Sequence, residues 1–319
     1  MSNSTYNSST TEKVLVQNNR DRKAAVALLS VISNSILVLI KLVVGIVIGS
    51  VSVISEAIHS GVDLLAAGIA LFAVKTSEKP ADIDHPFGHG KVENISGTIE
   101  AILIFGAAGW IIYEAIHKLI SPSPLETLGW GIIVMLISSI TNNIISKKLM
   151  QVGTETDSVA LIADAWHLRT DVYTSAGVMV GLVLIWLGNF FFPSWSLHWI
   201  DPVAAILVAL LIVKAAYDLT LQSGRDLLDT SLPENEELII RKSVEQFSPD
   251  VTDMHHLKTR KAGSHRFIEF HLRVDPQMPL EKAHHLSHSV SELIATRLPG
   301  AIVNIHLEPA IEKTRDSKL

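Results

Sequence analysis

Long apolar runs separated by short polar breaks fill the chain from residue 24 to about residue 221, and a finer alternation replaces them afterwards. Runs close to the ~20 residues that span ~30 Å of hydrocarbon fall at 24–48, 51–75, 95–117, 128–147, 158–187 and 202–221. They predict six transmembrane helices. Residues 1–23 are rich in Ser, Thr and Asn and predict a disordered tail. The run that follows is too long for a signal-peptide core, so the first helix is retained.

After a polar linker at 225–232, the pattern at 233–310 predicts a small domain of order αββαβ. A helix over 233–247 opens with acidic residues suited to a helix N-terminus. A strand over 266–275 turns Ile268, Phe270, Leu272 and Val274 to one face and Phe267, Glu269, His271 and Arg273 to the other. The preceding "KAGS" is its hairpin turn. An amphipathic helix over 281–298 leads to a second such strand over 301–308, with Val303, Ile305 and Leu307 inward and Asn304, His306 and Glu308 outward. So small a domain buries little apolar surface alone, which predicts pairing with a second copy. Residues 311–319 form a polar tail.

Composition agrees with a membrane chain: 48% of residues are hydrophobic, 18% are charged, and mean hydropathy is +0.35. Basic residues sort to one side. Lys13, Arg20, Arg22 and Lys23 precede the first run, Lys75, Lys79 and Lys91 lie around the second connection, and Lys147 and Lys148 lie at the fourth. The opposite connections offer Lys118 alone, which predicts cytoplasmic N- and C-termini. With no cysteine, disulfides and thiolate metal sites are excluded. A net charge of -6 without a basic, aromatic-interleaved patch gives no reason to expect nucleic acid. P-loop, HExxH and GxSxG motifs are also absent, which argues against an ATP-driven pump or an intramembrane zinc protease.

Within this apolar frame, His59 and Asp63 stand four residues apart in the second run, on one helical face. A charge at that depth costs roughly 2.5–3.5 kcal/mol on insertion scales. A buried hydrogen-bonded pair joining two helices would explain one such occurrence. His167 and Asp171 repeat the spacing in the fifth run, and facing helices would then present two imidazoles and two carboxylates. That set suits tetrahedral Zn2+, with Co2+, Fe2+, Cd2+ and Mn2+ also compatible with nitrogen and oxygen ligands. Glu56, Glu100, Asp164, Arg169 and Lys214 are further ionisable groups inside the runs, with no partner assigned.

The paired "HSGVD" and "HLRTD", the connection "DIDHPFGHGK" and the histidine-bearing C-terminal domain together make the chain, over about 24–309, resemble the cation diffusion facilitator family. The resemblance implies a six-helix membrane bundle with a cytoplasmic ferredoxin-like α+β domain. It also implies a homodimer in the lipid bilayer that exports divalent metal ions, Zn2+ foremost, in exchange for protons. It is not an enzyme on this reading. A bacterial plasma (inner) membrane is the expected location.

Carried over residue by residue, the transport site maps to His59, Asp63, His167 and Asp171, and histidine at the first position resembles the zinc-type members. Asp82, His85 and His89 match a cytoplasmic-loop site. In the C-terminal domain His256, His271, His284, His306 and Glu308 match a metal site, with glutamate in place of aspartate at the last position. His255, His285 and His288 are read as exposed extras. Lys91 and Asp229 match a charge interlock between the third helix and the end of the sixth. Two other classes compete: a membrane sensor or scaffold that binds metal and transports nothing, and a metalloenzyme, which would keep a ligand position open.

Overall fold

The computed structural model describes residues 4–48, 51–120, 130–191 and 199–310. The chain divides into two compact units, Met1–Gly224 and Arg225–Leu319.

The first unit is helical: α1 (Ser4–Ile48), α2 (Val51–Ser77), α3 (Lys91–Ile120), α4 (Trp130–Glu155), α5 (Val159–Phe191) and α6 (Ile200–Leu227), whose last turn enters the second unit. Among the described residues, four segments are long and apolar enough to cross a membrane, at 18–47, 60–77, 91–117 and 205–227. Four of the six expected spans, on α1, α2, α3 and α6, meet this measure among the described residues. A difference lies at the start: α1 is helical from Ser4, through residues expected to form a disordered tail. Glu12, Lys13 and Leu15 are good helix formers and carry the helix backward.

Small residues let the helices approach closely. Ala27 of α1, Ala73 of α2, Leu149 of α4 and Ala160, Leu161 and Ala165 of α5 share one buried cluster. Ala101, Ile104 and Ala108 of α3 meet Ala163 of α5 and Ile212, Ala216 and Leu219 of α6 in another. Such interfaces suit lipid, where close van der Waals packing replaces a hydrophobic driving force. Gly97 is the tightest point. A Cβ there would stand 2.6 Å from Ser223 Oγ and 2.8 Å from a Val159 methyl, so a side chain would push α3 away from α5 and α6. Leu39, Val47, Trp110 and Leu207 stay exposed on the outer faces, as lipid-facing residues would.

Where the middle of α1 passes the end of α2 and the starts of α3 and α5, a buried polar knot forms around Glu93. Its carboxylate accepts from Ser77 Oγ at 2.9 Å, Ser158 Oγ at 2.6 Å and Lys23 Nζ at 3.3 Å. Lys23 also pairs with Glu78, which Arg20 Nε holds at 2.7 Å. A buried ion needs such saturation to be tolerated.

The second unit has the expected element order, α7 (Glu234–Glu245), β1 (Val251–Ala262), β2 (His265–Val274), α8 (Leu280–Arg297) and β3 (Ala301–Pro309). The sheet runs β1-β2-β3, with β1 and β2 antiparallel and β2 and β3 parallel. Ile268, Phe270, Leu272 and Val274 of β2 pack with Ile240 and Val244 of α7 and Leu286, Val290 and Ile294 of α8. Burying a side chain such as Phe270 stabilises by about 1.5–3 kcal/mol. On the opposite face, Phe267 is buried against expectation, because the Arg260 guanidinium lies 4.2 Å over its ring.

Candidate metal sites

In the helical unit, α2 and α5 bring Asp63 and His167 together. His167 Nε2 lies 3.2 Å from Asp63 Oδ1, with both side chains buried. The other ring nitrogen, Nδ1, is buried without a hydrogen-bond partner. From α4, Asn142 Nδ2 donates to Asp171 Oδ2 at 3.4 Å. Hydropathy and ligand spacing do not single out Asn142, although an "NN" pair within an otherwise apolar helix is a visible signal. His59 sits on α2, but its side chain lies outside the described residues. Among the described residues, Asp171 does not converge with Asp63 and His167 into one group of three ligand atoms.

The connection between α2 and α3 does produce such a group. One ligand atom from each of Asp82, His85 and His89 lies within 4.8 Å of the others. His85 Nδ1 is 3.3 Å from Asp82 Oδ1, and His89 Nε2 is 3.4 Å from Asp82 Oδ2. The local chain explains the convergence. The His85 amide donates to Asp82 Oδ1 at 2.6 Å, the Asp82 amide donates to the His85 carbonyl at 3.2 Å, and Gly88 adopts a φ of 81°. The loop therefore folds back on itself where only glycine is comfortable. The His85 backbone N–H, more than either imidazole, holds the Asp82 carboxyl below its ordinary value.

On the outward face of the C-terminal sheet, strand register builds a row. His271 is paired with His255 across β1 and with His306 across β3, and Arg273 is paired with Glu308. His271 Nδ1 lies 2.8 Å from Glu308 Oε1, and His255 Nε2 lies 3.2 Å from Glu308 Oε2. His255, His271 and Glu308 form the second group of three ligand atoms within 4.8 Å. His306 stands alongside, its ring 4.7 Å from that of His271 and its Nε2 4.0 Å from Glu308. The hydrogen bond from His271 is the main reason that the Glu308 carboxyl is held below its ordinary value.

Besides His306, two further expected ligands, His256 and His284, stand outside that group of three. His256 takes a φ of 51° where a register shift interrupts β1 between His255 and Lys258. The bulge directs His255, read from sequence as an exposed extra, toward Glu308. The His256 ring stays 5.1 Å from that of His271, beside a surface depression of about 230 Å³. His284 belongs to α8, with its ring 4.5 Å from His288 and 6.1 Å from His285. Two imidazoles and a carboxylate fit Zn2+ coordination, and a fourth ligand would complete a tetrahedron. Lys91 belongs to the first unit and Asp229 to the second, where Arg260 Nη1 reaches Asp229 Oδ1 at 3.4 Å.

The profile of the cation efflux transmembrane domain matches residues 27–228, and that of the cation efflux protein cytoplasmic domain matches residues 232–310. The chain belongs to the cation diffusion facilitator family. As a family member it is a cation efflux transporter and an integral membrane protein. An uncharacterised transporter of Synechocystis sp. is 36% identical over 82% of this chain and 82% of its own length. The cation-efflux pump FieF of Citrobacter koseri is 33% identical over 93% of this chain and 95% of its own. The metal-bound C-terminal domain of the CzcD transporter from Thermotoga maritima is 29% identical, covering 24% of this chain and 94% of that domain with a TM-score of 0.23.

Proposed function

We propose that this cation diffusion facilitator works as a homodimeric Zn2+/H+ antiporter, exporting metal from the cytoplasm across a bacterial inner membrane through six spanning helices by alternating access. The buried contact between His167 and Asp63 carries the reading. It joins two helices through a nitrogen and an oxygen ligand, leaves a second ring nitrogen unsatisfied, and places its carboxylate where an uncompensated charge is costly. His59 and Asp171 complete the ligand set. Zn2+ arriving from the cytoplasm displaces protons from these ligands, because imidazole and carboxylate bind metal deprotonated. Reprotonation on the far side weakens coordination and releases the ion.

Asp82, His85 and His89 serve as a loop site on the cytoplasmic side. His255, His271, His306 and Glu308 bind a regulatory Zn2+, with His256 and His284 as the remaining candidate donors, and the C-terminal domains pair within the dimer. Lys91 and Asp229 act as the charge interlock. Both termini are cytoplasmic on this reading. The test is metal-driven proton flux in proteoliposomes, comparing Zn2+ with Mn2+. Zinc should drive the larger flux. Equal transport of the two would overturn the zinc assignment, and metal binding without flux would leave a sensor in place of a transporter.

A further inference from the structure

Beyond the proposed ligands, the helical unit buries two carboxylates, Glu100 and Asp164, whose electrostatic neighbours among the described residues include no lysine or arginine. Glu100 of α3 and Asp164 of α5 are both 0% exposed. Glu100 accepts one hydrogen bond, from Ser96 Oγ at 3.2 Å to Oε1, and its Oε2 has no partner. Neither oxygen of Asp164 has one. Ser30 Oγ of α1 stands near Asp164 without completing a hydrogen bond, and it too is buried and unsatisfied. Glu100 Oε2, both Asp164 oxygens and Ser30 Oγ are thus buried without a completed hydrogen bond, and the chain neighbours Ala101 and Ala163 share one buried cluster of α3 and α5. Native interiors rarely tolerate this without a function.

The pair is placed to sense the transport site. Asp164 precedes His167 by three residues, a rise of about 4.5 Å along the same helix. It interacts electrostatically with His167 and Asp63 on one side and with Glu100 on the other. Among the described residues, Asp164 is the titratable group on a packed helix that acts on Glu100.

We infer that Glu100 and Asp164 share a counter-proton and exchange it against metal charge at the neighbouring transport site. Two ionised carboxylates that repel each other across buried helices are far costlier than one, so the resting pair holds a proton on Glu100. When a divalent cation enters the transport site, its positive field reaches Asp164 and then Glu100. The Glu100 O–H bond breaks, H+ leaves, and both groups become carboxylates. When the cation departs, one proton returns to Glu100. No oxidant or further reactant is needed. This rests on the proton exchange proposed above, to which it adds a proton carrier that is not itself a metal ligand.

The test uses the full-length protein in lipid, with Zn2+ as the probe. Infrared difference spectra on zinc addition should show loss of a protonated carboxyl C=O stretch in the wild type and no such loss in Glu100→Gln. Glu100→Asp, which keeps the carboxyl, should restore the signal. In weakly buffered solution, Glu100→Gln should release about one proton fewer per zinc bound. A wild type with no zinc-sensitive protonated carboxyl overturns the inference. So does Glu100→Gln with an unchanged infrared signal and proton count. If instead the wild type moves zinc with no proton flux, the antiport reading fails, while the infrared signal still decides whether Glu100 gives up a proton.

Discussion

Asp63 and His167 are 2% and 6% exposed, whereas the side chains of Glu308, His271 and His306 are 29%, 35% and 67% exposed. Both regions pair imidazole with carboxylate, yet different constraints shape them. In the helical unit, the proposed ligands come from separate helices at a depth where any unpaired charge is expensive, so their geometry is tied to how α2, α4 and α5 pack. On the C-terminal sheet, two rungs of strand register set the side chains in a row, and solvent carries the cost of an unfilled position. The first arrangement suits a site that must change accessibility as helices move. The second suits one that fills and empties with free metal concentration.

The largest expected effect breaks the buried contact. Asp63→Asn keeps the side-chain shape but removes the charge that balances the ion. Metal-driven flux should fall by more than the about 10–100-fold that loss of an outer-shell partner costs. The protein should still fold. Normal flux with lowered thermal stability would make the pair a structural pin instead.

Removing charge from the two environments sharpens the contrast next. Glu93→Gln weakens charge-assisted bonds to Lys23, Ser77 and Ser158 inside the polar knot. It should destabilise by about 2 kcal/mol, read as a lower melting temperature. Glu308→Gln, on the exposed row, should shift melting far less in the absence of zinc. Equal shifts would mean that burial does not govern the difference.

His255→Ala and His256→Ala separate neighbours that only the bulge distinguishes. Zinc titration of the cytoplasmic site should show about a tenfold or greater loss of affinity for His255→Ala and a smaller one for His256→Ala. The reverse order would show that the bulge rearranges when metal binds.

The smallest effect is acid sensitivity. Because the folded Glu308 carboxyl sits below its ordinary value of 4.5, its contribution to stability is fully present above that value. It is lost as pH falls through the lower, folded value. Acid unfolding of the metal-free protein should therefore differ slightly between wild type and Glu308→Gln, and the two should converge at the lowest pH. No difference at any pH would mean that the His271 contact carries no net stability.

The two histidine–aspartate spacings are legible in the chain alone because one helical turn brings residues four apart to one face. The loop histidines are legible as candidates, but their convergence depends on the turn at Gly88. Glu93 gives no signal of its own, because a glutamate in the first turn of a helix already has a reason to be there, in the helix dipole. His255 reads as an exposed extra because alternation cannot reveal a register shift. Strand pairing is a property of two segments, and a bulge in one moves its side chains relative to the other without changing the hydrophobic pattern.

Local rules are enough for the apolar runs, the αββαβ order, the inward faces of β2 and β3, and the residue types able to bind a divalent metal. These follow from hydropathy, period and side-chain chemistry, each readable within a few neighbouring residues. Packing alone settles which groups meet: Asp63 with His167, Asn142 with Asp171, His255 with Glu308, and Asp164 within electrostatic reach of Glu100. The difference is one of range. A contact across α2 and α5 joins positions separated by 104 residues, and its geometry depends on close helix packing that small residues permit but do not specify.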